Sequence, residues 1–418
     1  MKIAIDPVIV SRILAAWGKL TPDQQSKIAP AVLSANQQAI QVSQTRKAPP
    51  TPAAPHTLVL AHSALHNDPS SIVDSLEAGI VFDVGADGVM WGTGKYQQFD
   101  PGWTEAFAVF LESLVAGRHP FMANPQVVKI PDVVKIALAG DFGTGDWRTA
   151  GNPAPSTDVR SHMKFLAPDI TIHLGDVYYG GTDDQEQHNF LKIWPPGSKG
   201  SFALNSNHEM YSGADPYFQA ISQSPFDQQK GCSYFALENA NWVIVGLDSA
   251  YFASEESLYM DGSLGPADAD VVQFTQIQFL KEQIAKDKKL ILLTHHNGLQ
   301  EDGSATTKIW DQVMSAFAAN SGPAYWYWGH VHAGVVYQNP TTQARNVGCR
   351  CCGHSALPWG HATELDNNHN VVWYENRSAR DPDISERVLN GFTVLSLDGP
   401  QIKEIYYDEN GGVAWSSS

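Results

Sequence analysis

The stretch from His173 to Gly181, "HLGDVYYGG", ends an apolar run on a carboxylate, Asp176, and follows it with two phenols, Tyr178 and Tyr179. The residues before it, "DITI", are the short branched run expected of a buried strand. A strand that stops on a charged side chain delivers that charge to a sheet edge, where functional groups gather in α/β folds. Asp and Tyr alone can also cap and pack a turn. The reading therefore depends on what the neighbouring runs present.

From about residue 131 the same texture recurs in "VVKIALAGD", "SFALNSNHE", "NWVIVGLDS", "KLILLTHHN" and "AYWYWGHVH". Between the third and fourth of these, Phe274, Ile277, Phe279, Leu280 and Ile284 fall on one helical face. Strands alternating with helix predict an α/β core. The final "GFTVLSLDGPQIKEIYYDENG" predicts a closing hairpin that turns at Asp398 to Pro400.

Ahead of this core, Val8, Ile9, Ile13, Leu14 and Trp17 are spaced for a helix, and Thr21 with Pro22 predicts the start of a second. The expected organisation is a helical segment over 1–45 and a Pro-rich linker over 46–55. A hairpin and helix region over 56–130 would pack on a catalytic part over 131–418. "IVFDVGADGVMWG" supplies the hairpin, and Asp100 with Pro101 opens the helix "DPGWTEAFAVFLESL".

The 418 residues carry 44 Asp and Glu against 27 Lys and Arg, a formal charge of -17 that repels polyanions and argues against a nucleic-acid-coating surface. No apolar run approaches the roughly 18 residues of a membrane-spanning helix. The first 20 residues place Asp6 and Arg12 among apolar ones and lack the order of a secretory signal, so an intracellular, cytoplasmic location is expected. Cys349, Cys351 and Cys352 crowd into "GCRCCGH", but no second cysteine cluster completes a soft-metal site.

The polar ends of the runs hold Asp141, Asp176, Asn207 with His208 and Glu209, His295 with His296, and His330 with His332. Oxygen and imidazole donors of this kind suit iron, manganese or zinc. A carboxylate with two oxygens can bridge a close metal pair, and Asp176 is the candidate. His330 and His332, one residue apart on an extended segment, would point the same way, each towards a different metal.

In order, "GDFG", "GDVYY", "NHE", "THH" and "GHVH" resemble the motifs of the calcineurin-like metallophosphoesterases and, within them, the purple acid phosphatase branch. The resemblance covers roughly residues 131 to 400. It implies an αββα sandwich, with an added N-terminal helical segment, and a phosphoesterase with two metal ions per chain. In the wider family a histidine stands two positions after the first aspartate, where this chain has Gly143. In the purple branch a tyrosine three positions after the bridging aspartate supplies that donor, and Tyr179 holds this position. By resemblance, one metal takes Asp141, Asp176, Tyr179 and His332, with Fe(III) favoured by the phenolate. The other takes Asp176, Asn207, His295 and His330 and would be Fe, Zn or Mn.

The resemblance further implies that metal-activated hydroxide attacks a small phosphate ester, a monoester ahead of a diester or cyclic nucleotide. His208 would protonate the leaving oxygen, Glu209 would orient the His208 ring, and His296 would contact substrate. Tyr178, His354 and Arg350 are further candidates to approach the pocket. A silent binding protein of the same fold, its N-terminal part docking a partner, is the alternative from another class. The family pattern has glycine before the asparagine where this chain has Ser206; a φ above zero there would strain serine and weaken Asn207 as a ligand.

Overall fold

The computed structural model of the chain describes residues 5–50, 79–148 and 152–417. The predicted linker beyond residue 50 and the part of the following region before residue 79 lie outside the described residues.

Two helices open the chain, α1 (Pro7–Trp17) and α2 (Pro22–Thr45). Asp6 caps the first by accepting the Val8 N–H. Thr21 and Gln24 close a reciprocal capping box on the second, with proline in the first turn of each helix, where no backbone donor is lost. The strands β1 (Val81–Val84) and β2 (Met90–Gly92) form the expected antiparallel hairpin. Helix α3 (Gly102–Ala116) follows, apolar nearly all round, burying Trp103, Ala106, Phe107, Ala108, Phe110 and Leu111. Arg12 on α1 forks onto Glu112 of α3 at 2.9 and 2.7 Å.

The remaining strands build two sheets. One comprises β4 (Val133–Ala139), β5 (Ile170–His173), β6 (Gly200–Ala203), β14 (Gly391–Asp398), β15 (Gln401–Asp408) and β16 (Val413–Ser416), in the order β16-β15-β14-β4-β5-β6. The other comprises β3 (Gln126–Lys129), β7 (Phe235–Glu238), β8 (Trp242–Gly246), β9 (Lys289–Thr294), β10 (Tyr325–Trp328), β11 (Gly334–Tyr337), β12 (Gly348–Cys352) and β13 (Val371–Tyr374). Its order is β13-β11-β12-β10-β9-β8-β7-β3. All six runs read as buried strands form strands, and the closing hairpin pairs Asp398 with Gln401 across its turn.

The side-chain period of two divides each strand between two cores. Ile136, Leu138, Ile172, Leu237, Ile244, Ile291, Leu293 and Leu395 meet between the sheets. Val243, Val245, Leu290, Leu292, Trp326 and Trp328 face outward under the helix α5 (Thr275–Ile284), which buries Ile277, Phe279 and Leu280. Ala137, Ala139 and Val394 face the opposite layer, where helix α4 (Pro155–Leu166) packs with α1, α2 and α3. The architecture is an αββα sandwich. "GCRCC" is strand β12, with Cys349 and Cys351 in an outer core, Cys352 between the sheets and all four cysteines of the chain free and buried. Among the described residues, no helix is long and apolar enough to cross a membrane.

Strands β4, β5 and β6 run parallel in one sheet and β8, β9 and β10 in the other. Parallel strands present their carboxyl ends at one edge, which is the geometric reason their terminal side chains can meet.

Because Ile28, Val32, Ala35, Ala39 and Val42 of α2 share a buried cluster with Ala137 and Ala139 of β4, the N-terminal helices should unfold with the sheets. Ile28→Ala is expected to cost about 2–5 kcal/mol, measured by urea denaturation. A separate early transition that alone responds to the substitution would contradict this.

Candidate metal centre

Asp176 sits just past β5 with φ +78°, Asp141 just past β4 with φ +59°, and His330 just past β10 with φ +65°. Left-handed backbone is uncommon outside glycine and costs of order 1 kcal/mol, so its recurrence at three strand ends marks a place where geometry is held against local preference.

The two oxygens of Asp176 face different clusters. Oδ1 lies 3.3 Å from His295 Nε2. That nitrogen is 2.9 Å from Asn207 Oδ1 and 3.2 Å from His330 Nδ1. Oδ2 lies 3.0 Å from the Tyr178 hydroxyl, which is also 3.2 Å from Asp141 Oδ1 and 3.1 Å from His332 Nε2. His332 Nε2 is 3.3 Å from Asp141 Oδ1. Asp141, Asp176 and His332 form one group of donors lying within 4.8 Å of one another, and His295, His296 and His330 form another.

The donor set fits cations. His295 Nδ1 donates to the Leu174 carbonyl at 2.8 Å, so its Nε2 carries a lone pair, and burial pushes the ring down to about 3, which excludes imidazolium at neutral pH. That lone pair faces the oxygen of Asn207, whose amide nitrogen is turned to Met260 Sδ. One proton on His330 Nδ1 can relieve one contact at most. Lone pairs left facing each other at hydrogen-bond distance are unfavourable in a buried site, and a cation among them removes the conflict. On the other side, burial and then the charge of Asp176 push Asp141 up to about 8. Asp176, against its own burial, is held well below the usual carboxylate range by the neighbouring imidazoles of His208 and His295 and by hydrogen bonds with His332 and Asp141. Two buried carboxyl groups this close cannot both ionise without positive charge between them; His332, against its own burial pushed up to about 9 by Asp141 and Asp176, supplies that charge, and a cation bound there would replace it.

Of the residues singled out in the sequence, Asp141, Asp176, Asn207, His295, His330 and His332 converge on these two clusters. Tyr179 does not. Its hydroxyl donates to Asp100 Oδ2, and its ring stands edge-on to Trp103 at 4.6 Å beneath the Lys95 ammonium. The adjacent Tyr178 brings the phenol to the cluster instead. The physical reason is tertiary: a Cβ on Gly102 would meet the Tyr179 ring at 2.4 Å, so the α3 entry is shaped around that ring. Nothing in the local spacing of "DVYY" foretold an aspartate 79 residues upstream taking the second phenol.

Ser206 has φ −138°, ordinary extended backbone, so the strain that would have weakened Asn207 is absent. His330 and His332 reach different clusters through the left-handed turn at His330 rather than through an extended strand, with the His330 N–H held by Asp141 Oδ2 at 3.0 Å. His208 donates Nδ1–H to the Tyr179 carbonyl at 2.7 Å, leaving Nε2 3.8 Å from Asp176 Oδ2. That carbonyl, not Glu209, orients the ring. Glu209 turns to Ser206, and its Oε1 meets no partner among the described residues. His296 has both nitrogens engaged, Nδ1 with Ser249 Oγ at 2.8 Å and Nε2 with the Tyr259 carbonyl at 2.7 Å, so it is not turned to receive substrate. Arg350 pairs with Glu404 at 2.7 Å away from the cavity, and His354 is buried with neither nitrogen partnered among the described residues. Sequence reasoning missed Asp100 and Trp359, the latter half-buried and edge-on to His332 at 4.5 Å. Neither carries a local signal.

Burial also pushes His173, His296 and His354 down to about 3. Each titrates near 6.5 when unfolded, so below that pH the unfolded chain binds more protons and stability falls as pH drops towards 3. Each group should contribute a loss of about 2 kcal/mol between pH 7 and pH 5, opposed over the same range by Asp141 and Glu186, which burial pushes up to about 8. Titration of the individual imidazole resonances is therefore the check, and protonation of any of these three rings between pH 7 and pH 5 in the folded protein would refute its burial as neutral imidazole.

Comparison with known proteins gives the following. The family model described as calcineurin-like phosphoesterase matches residues 134–334. No curated protein matches the sequence. Among solved structures, the chain is similar to a purple acid phosphatase from yellow lupin seeds, at 13% identity and a TM-score of 0.47, over 71% of this chain and 54% of that one, so it spans about half the lupin protein. It is similar to GAP50, the anchor in the inner membrane complex of Plasmodium, at 12% identity and a TM-score of 0.46, over 68% and 88%. A dimetal phosphatase from Danio rerio shows 13% identity and a TM-score of 0.40 over 66% and 96%.

Proposed function

We propose, from the match of residues 134–334 to the family model of the calcineurin-like phosphoesterases, that the chain is a binuclear-metal hydrolase of small phosphate monoesters. The observation that carries this reading is the pair of lone-pair clusters on opposite oxygens of Asp176. Asp141, Asp176, His332 and the Tyr178 hydroxyl would hold one cation; Asp176, Asn207, His295 and His330 would hold the other. When bound, the two cations would neutralise phosphoryl oxygens and acidify water for attack on phosphorus.

The chain's own residues supply the rest. His208 Nε2 faces the cavity beside Asp176 and would give a proton to the leaving oxygen, while Nδ1 stays locked on the Tyr179 carbonyl. Burial lowers the proton affinity of His208, so Nε2 carries a proton only on the acid side of neutrality, and the acid role implies turnover that rises as pH falls. His296 would brace the loop after β9 through Ser249 and Tyr259. The partly exposed His330 and Trp359 form the rim across which an ester would enter.

Purified protein reconstituted with iron, manganese or zinc should hydrolyse aryl phosphate monoesters and lose that activity on chelation. His208→Ala is expected to lower kcat by about 10²–10⁴-fold with metal content unchanged. Full turnover in that variant would remove the acid role, and a metal-loaded wild type inert towards monoesters and diesters alike would leave a binding protein. In an iron-loaded sample, Tyr178→Phe should abolish a phenolate charge-transfer band that Tyr179→Phe retains. The opposite result would return the ligand role to Tyr179.

A further inference from the structure

Ser206 stands where the family pattern has glycine, and its side chain does not idle. Ser206 Oγ lies 2.5 Å from Asp176 Oδ1, meets Glu209 Oε2, and accepts the His208 N–H at 3.1 Å. Its single proton can go to only one of the two carboxylate oxygens at a time, while a lone pair takes the His208 N–H. Ser206 is fully buried, and Gly175 lets it approach: a Cβ on Gly175 would stand 2.8 Å from that of Ser206. Among the described residues, Asp176 is hydrogen-bonded by two hydroxyls, Tyr178 on Oδ2 and Ser206 on Oδ1. Each oxygen thus has a hydroxyl on its own side, with Glu209 sharing the Ser206 proton on the Oδ1 side.

We propose that Ser206 is a positioning residue that sets the rotation of the Asp176 carboxylate, so that its two oxygens face separate cations; this rests on the binuclear reading of the site. A carboxylate held only on Oδ2 turns about its Cβ–Cγ bond, a broad torsion with little intrinsic preference. Rotation takes Oδ1 away from His295, Asn207 and His330, and the second cation loses the shared donor while the first keeps Asp141, His332 and Tyr178. Hydrogen-bonding partners that orient metal ligands in this way are typically worth about 10–100-fold in affinity.

The test is calorimetric titration of the metal-free protein with Mn(II), joined to electron paramagnetic resonance of the loaded samples. Wild type should take up two ions and show an exchange-coupled pair. Ser206→Ala and Ser206→Gly should each weaken one of the two binding steps about 10–100-fold and give the spectrum of uncoupled Mn(II). Glycine is included because it cannot clash in the space serine leaves and suits the extended backbone, so a folding failure of the alanine variant does not spoil the test. Both variants binding two ions as tightly as wild type with the coupled spectrum would overturn the proposal, as would a loss confined to alanine, which would assign the effect to packing. A wild type that takes up no pair of ions fails the binuclear reading itself and is recognised before any variant is compared.

Discussion

A carboxylate shared between two clusters of metal-donor groups is the constraint on which the rest of the structure depends. Asp176 presents one oxygen to Asp141, His332 and Tyr178 and the other to the cluster of His295, His330 and Asn207. Placing so many acceptors together in a buried space opposes folding unless positive charge joins them, and the fold has to hold them there regardless. It does so with one core on each side of each sheet, left-handed backbone at Asp141, Asp176 and His330, and backbone carbonyls that fix the tautomers of His208 and His295.

The parallel strands explain why residues so distant in the chain meet. Each of β4, β5, β9 and β10 delivers its polar terminus to the same edge, and the sandwich brings the edges of two sheets together. The N-terminal third contributes more than covering. Asp100 and Trp103, at the entry to α3, receive Tyr179 and thereby leave Tyr178 to the cavity. A segment with no chemical signature of its own thus decides which of two adjacent phenols joins the site.

For an acidic protein, receiving the proposed anionic ester would depend on local rather than overall charge. The formal charge of -17 repels phosphate at long range. Inside the cavity, cations held by Asp141, Asp176 and the imidazoles would reverse that field where the phosphoryl group sits.

The six apolar runs, the N-terminal caps, the closing hairpin and the donor types at the strand ends were legible in the sequence, because strand period, capping chemistry and turn residues are local properties. So was the order of the five motifs, which carried the family resemblance. The partners of side chains were not legible. Tyr178 rather than Tyr179 faces the cluster because Asp100 and Gly102, far upstream, accommodate the latter's ring. Ser206 grips Asp176 rather than straining the backbone, and His296 turns to Ser249 and Tyr259, because strands remote in sequence set those distances. Local physics named the groups that could do chemistry; only long-range packing decided which way each one points.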